Sequence, residues 1–389
     1  MDNNNKRDTH YSLSSPLVKL KRIIRSIKMW GLHRTIAKGL SRISLPVPVL
    51  LNFVPKRKSF ILVGCGQFGL STASFFIGKK FGNIFLSCFD IDINQSKYAQ
   101  ASYGYSEISN NFDDLISLDK AKYCFIASNH ASHTEQAIKA LSKGLTVHVE
   151  KPISVNWEQL NNLKNSLHGK EDKFFVGYNR PFSKAITILR NKISSTNEPL
   201  TMQFFIAGHS IAKDHWYYNP DEGSRICGNL GHWIDLAVHL LAQKDMPSSC
   251  SININFADIE NREENFILSI TSDIGDIINM VFSTRGEPFD GVNETLNIQQ
   301  GELIAKIDDF QRMKIWHKDF YKHYKFWPKD VGHAKSVTQM FKKNPDYLRP
   351  WCETYLSTAF MLHISDMVRD NVSHSKFSFD KFLLNLNKN

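Results

Sequence analysis

Residues 60–69 constrain the fold of this chain more than any other stretch. An apolar run, Phe-Ile-Leu-Val, leads into three glycines spaced Gly-x-Gly-x-x-Gly, and a helix-like run follows from Leu70 to Ile77. A buried strand that turns into a helix at such glycines binds the pyrophosphate of a dinucleotide, which rests on the helix N-terminus. The first glycine permits the tight turn, the second admits the phosphates and the third allows close packing. The predicted contacts in this turn are Gly64, Gly66, Gln67, Phe68 and Gly69.

A carboxylate follows the next strand-like run. Ile84 to Phe89 ends at Asp90, about twenty residues beyond the last glycine, where a carboxylate accepts hydrogen bonds from an adenosine ribose. A carboxylate also repels a 2′-phosphate, Asp92 adds negative charge, and no arginine follows immediately. These residues favour NAD over NADP as the cofactor.

Strand-like and helix-like runs alternate from residue 59 to about 177. The apolar runs lie at 60–63, 84–89, 122–127, 145–149 and 173–178, and the helical runs lie around 70–80, 94–102, 132–143 and 156–167. This alternation is typical of βαβ units. It predicts a Rossmann domain, an α/β doubly wound parallel sheet, over residues 59–178.

The pattern changes after Arg180. Helical runs at 182–193 and 230–242 enclose a polar and aromatic loop at 208–228. Runs that alternate apolar with polar residues then follow, and the chain returns to helix near 331–342 and 351–369. Alternation of this kind predicts an open, mainly antiparallel sheet with one solvated face. Residues 179–389 are therefore predicted to form an α+β domain with C-terminal helices.

The formal net charge of +10 is concentrated at the N-terminus. Residues 1–59 hold thirteen Lys or Arg and two acids, a net charge of +11, so the remaining residues sum to about −1. A near-neutral body offers no basic groove, which argues against a nucleic acid partner.

Residues 1–58 form a segment of their own. Apolar residues recur at helical spacing from Leu17 to Ile43 with basic residues between them, which predicts a basic amphipathic helix. Two interpretations remain open: contact of residues 17–43 with an anionic membrane surface, or docking of the apolar face on the protein's own body or on another subunit. Met1–Ser15 is expected to be disordered, and Pro55–Lys58 is interpreted as a linker.

The apolar run of the N-terminal segment does not suggest export, and the cysteines do not suggest metal binding. Residues 43–54 are too few to span a bilayer, and their basic lead-in is unlike a secretory signal. The six cysteines lack paired metal-ligand spacing and are expected to be reduced thiols of a cytoplasmic protein.

Polar side chains follow two of the predicted parallel strands. The run ending at Ala127 leads into Ser128-Asn129-His130-Ala131-Ser132-His133, and the run ending at Val149 leads into Glu150-Lys151-Pro152. The carboxyl ends of parallel strands line the ligand crevice of such a sheet. Lys151 precedes a proline that prevents helix continuation, so its side chain is placed to point into the cleft. The alternative is an ordinary loop.

A third motif lies on the predicted helix near 230–242. His232 and Asp235 are three residues apart and share a helix face, with His239 four residues further along. The alternatives are a hydrogen-bonded, half-buried histidine and a metal site. No third ligand has a suggestive spacing, so no metal is predicted.

Together these residues resemble the family of glucose–fructose oxidoreductase, inositol dehydrogenase and MocA. The resemblance covers roughly residues 59–370 and rests on the glycine turn, Glu150-Lys151-Pro152 and the His232-x-x-Asp235 helix. Further motifs resemble the dehydrogenase-like halves of larger two-domain bacterial enzymes linked to surface polysaccharide clusters. These motifs lie at 177–183, 214–216, 223–228 and 288–291.

The resemblance implies reversible hydride transfer between NAD(H) and a sugar or nucleotide sugar. It makes Lys151 the group that orients and polarises the reacting alcohol or carbonyl, and His232 the group that moves the proton, with Asp235 as the third catalytic candidate. It also implies a homo-oligomer paired through the open sheet. The remaining predicted cofactor contacts are Ser128, Asn129, His130, His133, Glu150, Lys151 and Arg180.

One departure from the family pattern bears on catalysis. Many relatives carry an aspartate four residues before the histidine, whereas this chain has Gly228. Two alternatives therefore stay open: an NAD-dependent glycosidase that oxidises its sugar transiently, and a catalytically silent nucleotide-binding protein. The aromatic loop at 214–219 is a candidate for stacking on a sugar ring, or a packed surface loop.

Overall fold

The computed structural model describes residues 16–43, 55–193, 198–212, 214–286, 291–342 and 349–386. The predicted disorder of residues 1–15, most of the apolar run at 43–54 and three residues of the motif at 288–291 lie outside the described residues.

The first sheet is parallel and six-stranded, in the order β3-β2-β1-β4-β5-β6. Its strands are β1 (Pro55–Val63), β2 (Asn83–Phe89), β3 (Glu107–Ile108), β4 (Tyr123–Ile126), β5 (Thr146–Val149) and β6 (Phe174–Val176). The helices of this region are α3 (Phe75–Phe81), α4 (Ile93–Tyr103), α5 (Phe112–Ile116), α6 (His133–Ser142) and α7 (Trp157–Leu167). The predicted doubly wound parallel sheet is confirmed.

Strand β1 begins earlier than its apolar run indicates. Pro55 pairs with Asn83 of β2, so the residues interpreted as a linker, Pro55–Lys58, belong to the sheet and that interpretation is wrong. Lys56 and Arg57 remain exposed, whereas Phe60 to Leu62 are fully buried. Hydrophobicity marks only the buried half of a strand, which explains the error.

The second sheet has nine strands, in the order β14-β13-β12-β11-β7-β10-β9-β8-β15. Neighbouring strands pair antiparallel except β7 and β10, which are parallel, so the predicted mainly antiparallel sheet is confirmed. The strands are β7 (Leu200–Ala207), β8 (Ser249–Phe256), β9 (Phe266–Ser272), β10 (Ile277–Ser283), β11 (Asn293–Gln300), β12 (Leu303–Asp308), β13 (Arg312–His317), β14 (Phe320–Lys325) and β15 (His374–Ser378).

Helices cover one face of this sheet. They are α8 (Lys184–Ile193), α9 (Gly231–Leu241), α11 (Trp351–Arg369) and α12 (Phe379–Leu386). Strand β7 alternates buried and exposed residues, which is the pattern of a strand with one packed face and one open face. Helix α9 is buried along its whole length except at His232, because it lies between the sheet and α11.

The single helix predicted over 331–342 is wrong. The structure has a short helix, α10 (His333–Ser336), and a separate helical turn at Gln339–Phe341. Gly332 has φ +91° and packs against the backbone of Asn179 and Ser183, which fixes the chain outside helical geometry there. The turn contributes to the Rossmann core, where Met340 is buried.

The N-terminal segment forms two helices rather than one, α1 (Pro16–Trp30) and α2 (Leu32–Ile43), because Gly31 adopts φ +81° between them. Helix α2 packs against the first turns of the helix that follows the glycine turn, and Ala37 is buried in the Rossmann core. The segment therefore docks on the protein's own body, as the second interpretation proposed. This contact does not use the apolar face that the interpretation assigned to it. Leu20, Ile24 and Ile36 are about half exposed.

Within the described residues, no helix is long and apolar enough to cross a membrane. The six cysteines are free thiols, and five of them are buried.

Candidate functional site

The glycine turn has the geometry that its three glycines predict. Gly64 adopts φ +84°, and a Cβ there would overlap the carbonyl of Ala127 at the end of β4. A Cβ on Gly69 would overlap the carbonyl oxygen of Gly64. By contrast, Gly66 has no atom within 4 Å of its Cβ position, and both Gly66 and Gln67 are exposed. The turn is closely packed on the protein side and open on the side where a pyrophosphate would lie.

The helix after this turn begins with a wide π-helical segment, Gly69–Ser74, before α3. The hydroxyls of Ser71 and Ser74 donate to the carbonyl oxygens of Gln67 and Gly69, at 2.7 and 2.9 Å. These bonds satisfy carbonyls of the first turn, while its first amides keep the orientation that suits an anion.

Asp90 lies at the carboxyl end of β2, beside the glycine turn. Its Oδ2 accepts from the Cys65 amide at 2.7 Å, and its Oδ1 accepts from the Asp92 amide at 2.9 Å. Burial raises the pKa of Asp90, and the two amides oppose that rise. An ionised carboxylate has about four lone-pair positions, so both oxygens can still accept from ribose hydroxyls.

The loop after β4 is held by a residue that the sequence did not reveal. Glu222 accepts from the Asn129 amide group at 2.7 Å and from the Ala131 backbone amide at 3.1 Å. Its carbonyl oxygen lies 3.0 Å from His130 Nδ1. Glu222 comes from the loop before α9, so this cluster joins the two domains at the cleft. A lone Glu in a polar loop gives no periodic signal, which explains why it was missed.

His130 and His133 are both buried in this loop, and both stay neutral. Burial, with Lys151 and His133 nearby, lowers the pKa of His130 to about 2. Burial likewise lowers the pKa of His133 to about 4. The ring nitrogens of His133 lie 2.8 Å from the carbonyl oxygen of Pro152 and 3.2 Å from that of Ser128. A neutral ring has one N–H, which donates to one of these two carbonyls, and His133 contacts both cleft loops from inside.

Ser128 is also hydrogen-bonded within its own loop. Its hydroxyl donates to Gln136 at 2.6 Å and accepts from Ser132 at 2.9 Å. The structure thus brings the predicted polar residues after β4 together at the sheet edge, oriented mainly by one another.

Glu150 is buried at the carboxyl end of β5 without a complete set of partners. Its Oε1 has no hydrogen-bond partner among the described residues and lies 3.8 Å from His148 Nε2. A Cβ on Gly177 would approach Glu150 Cδ to 2.6 Å, so only glycine fits there beside the carboxylate. A buried, unpaired carboxylate oxygen is costly unless a ligand donates to it.

Lys151 points into the cleft between the domains. Its ammonium group donates to the carbonyl oxygen of Gly228 at 2.7 Å, across from the π-helical segment Ile226–Leu230 that precedes α9. In the same segment, Asn229 Oδ1 is buried without a partner among the described residues.

The absence of a side chain at Gly228 has a local cause. A Cβ there would lie 2.9 Å from His130 Cε1 and closer still to the ring of Tyr217. Tyr217 stands edge-on to His130, with ring centroids 5.1 Å apart, and Trp216 does the same at 4.9 Å. The aromatic loop therefore fills the position of the side chain that Gly228 lacks.

His232 lies one turn beyond Gly228. Its Nδ1 is buried and has no hydrogen-bond partner among the described residues. Burial, followed by the charges of Arg180 and Lys151, holds its pKa well below the ordinary value. The imidazole is therefore neutral at pH 7 and keeps a nitrogen available for a proton or a hydrogen bond.

Asp235 faces away from the cleft, although it shares the helix with His232. Its carboxylate accepts from both Arg349 Nη1, at 2.7 Å, and the Ser357 hydroxyl, at 2.8 Å. Arg349 also bonds Glu353, which accepts from His239 Nδ1 at 2.8 Å. Burial alone would raise the pKa of Glu353, but Arg349 and His239 lower it to about 2. This buried network clamps α9 to α11.

Arg180 is likewise occupied inside the protein. It forms a two-pronged pair with Glu294, at 2.7 and 2.8 Å, and its guanidinium lies 4.3 Å from the ring centroid of Trp233. The Trp233 indole donates to the same carboxylate at 2.6 Å. Glu294, on β11, was not predicted, because its partners Arg180 and Trp233 are distant from it in sequence.

These residues meet the requirements of a dinucleotide. The open Gly66 accommodates phosphates, Asp90 can accept from the ribose, and the unpaired oxygens of Glu150 and Asn229 can accept at the other end of the cleft. Among the described residues, no group of three metal-ligating side chains occurs.

Comparison with known proteins agrees with this geometry. Residues 58–178 match the sequence profile of GFO_IDH_MocA, the "Oxidoreductase family, NAD-binding Rossmann fold". The match covers the Rossmann domain, which carries the glycine turn, Asp90 and Lys151.

Two characterised relatives are similar over part of their length. Inositol 2-dehydrogenase of Ralstonia nicotianae is 27% identical over 137 residues, 34% of this chain and 40% of that protein. Glucose-6-phosphate 3-dehydrogenase of Bacillus subtilis is 24% identical over 166 residues, 41% of this chain and 47% of that protein. The chain thus matches less than half the length of either relative.

The fold similarity extends further than the sequence similarity. The structure of levoglucosan dehydrogenase with NADH and levoglucosan superposes with a TM-score of 0.68. The superposition covers 83% of this chain and all of that one, at 12% identity. Both domains of the present chain therefore have the arrangement of that dehydrogenase fold.

Proposed function

We propose that the protein is an NAD-dependent oxidoreductase that transfers a hydride to or from a sugar or nucleotide sugar. The observation that carries the proposal is the hydrogen bond from Lys151 to the π-helical segment that leads into the helix of His232. Lys151 reaches the carbonyl of Gly228, one turn before His232, and its charge contributes to the lowered pKa of that histidine.

The residues of this chain divide the work as follows. Bound NAD would supply the hydride acceptor, held by the glycine turn, Asp90 and the loops after β4 and β5. The Lys151 ammonium would stabilise negative charge on the sugar oxygen. Neutral His232 would accept the hydroxyl proton at a ring nitrogen. The resemblance to dehydrogenases of inositol and glucose 6-phosphate supports a polyol or sugar substrate.

Asp235 and Arg180 take positioning roles in this proposal. Asp235 would hold His232 in place through α9, since its carboxylate is bound by Arg349 and Ser357. Arg180 would form the base of the cleft with Glu294 and add positive charge near His232. His133 and Ser128 would keep the cofactor loops in register.

The aromatic loop would form the wall of the sugar subsite. Trp216 is 46% exposed, and its ring is tilted against that of Tyr217 with the centroids 4.5 Å apart, which leaves a ring face available beside the cleft. Aromatic faces of this kind bind the apolar faces of sugars.

The open face of the second sheet supports a homo-oligomer. Phe205, Val281 and Ile267 stand in register across β7, β10 and β9, and Phe205 and Ile267 are 47% and 41% exposed. An exposed apolar row of this kind on an open sheet face is suited to pairing with a second copy. The resemblance to enzymes linked to surface polysaccharide clusters supports a role in the assembly of cell-surface glycans, with the enzyme itself in the cytoplasm.

The test is to mix the protein and NAD with each of a panel of nucleotide sugars and free polyols, and to monitor NADH formation by its absorbance. We expect the wild type to form NADH with at least one substrate. For His232→Asn we expect kcat to fall by 10²-fold or more. Release of a glycosidic leaving group without net NADH would favour the glycosidase alternative. NADH binding with no turnover on any substrate would favour the silent alternative.

A further inference from the structure

The two N-terminal helices expose an apolar surface of unusual size. Seven large apolar side chains on α1 and α2 are between 45% and 62% exposed. We call them the N-terminal apolar face: Leu17, Leu20, Ile23, Ile24, Leu32, Ile36 and Ile43. A single exposed leucine is ordinary, whereas seven large apolar side chains exposed on two adjacent helices mark an interaction site.

The opposite side of these helices is fixed to the body. The Trp327 indole donates to the Lys28 carbonyl at 2.7 Å, and the Lys329 amide donates to the Met29 carbonyl at 2.8 Å. On α2, the Arg34 guanidinium lies 4.8 Å from the ring centroid of Trp30 and 4.5 Å from that of Phe76. These anchors hold the N-terminal apolar face outward, so it cannot turn onto the protein's own core.

The charge of the two helices is entirely positive. Residues 16–43 contain eight Lys or Arg and no Asp or Glu. On α1, Lys21, Arg25 and Lys28 follow one another at helical spacing along the edge of the row formed by Leu17 and Ile24. An apolar stripe bordered by cations is the pattern of a helix that lies in a membrane interface.

We propose that the N-terminal apolar face binds the surface of a bilayer that contains anionic lipids. The helices have 15 and 12 residues, so they are too short to cross it and would lie in its plane. Apolar side chains would enter the headgroup boundary while lysines and arginines bind lipid phosphates. A symmetric second copy fits less well, because it would bring together two helical surfaces that contain Lys and Arg and no Asp or Glu.

The experiment is co-sedimentation of the full chain with vesicles. The protein should bind vesicles of phosphatidylcholine with phosphatidylglycerol, and bind phosphatidylcholine alone at least tenfold more weakly. The double variant Leu20→Glu, Ile24→Glu should lose at least tenfold in partitioning. Lys21→Glu with Lys28→Glu should lose a similar factor, with binding that falls in high salt.

A matched control comes from the other end of the chain. Leu384 on α12 is 59% exposed, so Leu384→Glu introduces one glutamate at a comparably exposed apolar position and should bind vesicles as the wild type does. NADH binding by each variant, measured in solution, verifies folding and is independent of the lipid result. Failure of the wild type to bind anionic vesicles overturns the proposal. It is equally overturned if Leu20→Glu, Ile24→Glu dissociates an oligomer and leaves vesicle binding intact.

Discussion

Gly228→Ala is predicted to disturb the cleft through a single methyl group. The new Cβ would lie 2.9 Å from His130 Cε1 and closer to the Tyr217 ring, whereas carbon atoms in contact prefer about 3.5–4.0 Å. Relief requires the aromatic loop to move by about 1 Å or more. Overpacking of this kind costs about 1–3 kcal/mol of the free energy of unfolding.

The second effect of Gly228→Ala is on turnover. The carbonyl of Gly228 accepts the Lys151 ammonium at 2.7 Å, so a shift of this segment moves the lysine relative to the cofactor. Misplacement by about 1 Å can cost 10²-fold in rate. We expect kcat/KM to fall by at least tenfold.

Urea unfolding of four proteins isolates the cause: the wild type, Gly228→Ala, Tyr217→Ala and the double variant. If the Tyr217 ring is the obstacle, the double variant should be more stable than the sum of the single effects by about 1–2 kcal/mol. Gly39→Ala is the control, because no atom lies within 4 Å of that Cβ position, and it should stabilise α2 by about 0.5–1 kcal/mol. Additive costs at Gly228 and Tyr217 would show that the Tyr217 ring is not the obstacle.

Three further predictions concern the cofactor, the buried network and pH. Asp90→Ser should lower the preference for NAD over NADP at least tenfold in kcat/KM, because it removes the charge that repels a 2′-phosphate; an unchanged ratio would place the ribose elsewhere. Arg349→Met should lower the free energy of unfolding by about 3–5 kcal/mol, since it leaves the buried carboxylate of Asp235 without its ion-pair partner. The loss should be smaller in the double variant Arg349→Met, Asp235→Asn. Burial, then Arg34 and other cations, lowers the pKa of Lys38 from 10.5 to about 7, so its protonation costs stability as the pH falls through that range. Lys38→Met should therefore raise the free energy of unfolding more at pH 6 than at pH 9, by about 2.5 kcal/mol in urea titrations; an equal gain at both pH values would show that Lys38 is not buried as described.

The parts of the site predicted from sequence are those that local patterns specify. The glycine turn is determined by backbone sterics at Gly64 and Gly69, which the spacing alone reveals. Asp90 and Lys151 each follow a buried strand directly, so the parallel sheet brings both to one edge. The helix that carries His232 was evident from its apolar composition.

The parts that were missed depend on contacts between distant residues. Glu222 and Arg349 act only because folding brings them to the loop after β4 and to Asp235, 91 and 114 residues away in sequence. Asp235 was expected to act in the cleft, yet helical spacing cannot show which side of a buried helix meets a cationic partner. Strand β14 gave no signal because all but one of its residues are exposed, so it lacks alternation.

We propose that Lys151 acts on the reacting sugar, in addition to any contact that it makes with the cofactor. The most direct test of this role is Lys151→Met, with NADH affinity measured by fluorescence titration and hydride transfer measured in a single turnover. Lys143→Met, at an exposed lysine just after α6, is the control. The account predicts NADH affinity within about threefold of the wild type and hydride transfer at least about 10²-fold slower. Hydride transfer at the wild-type rate, or loss of NADH binding with no separate effect on transfer, would contradict it.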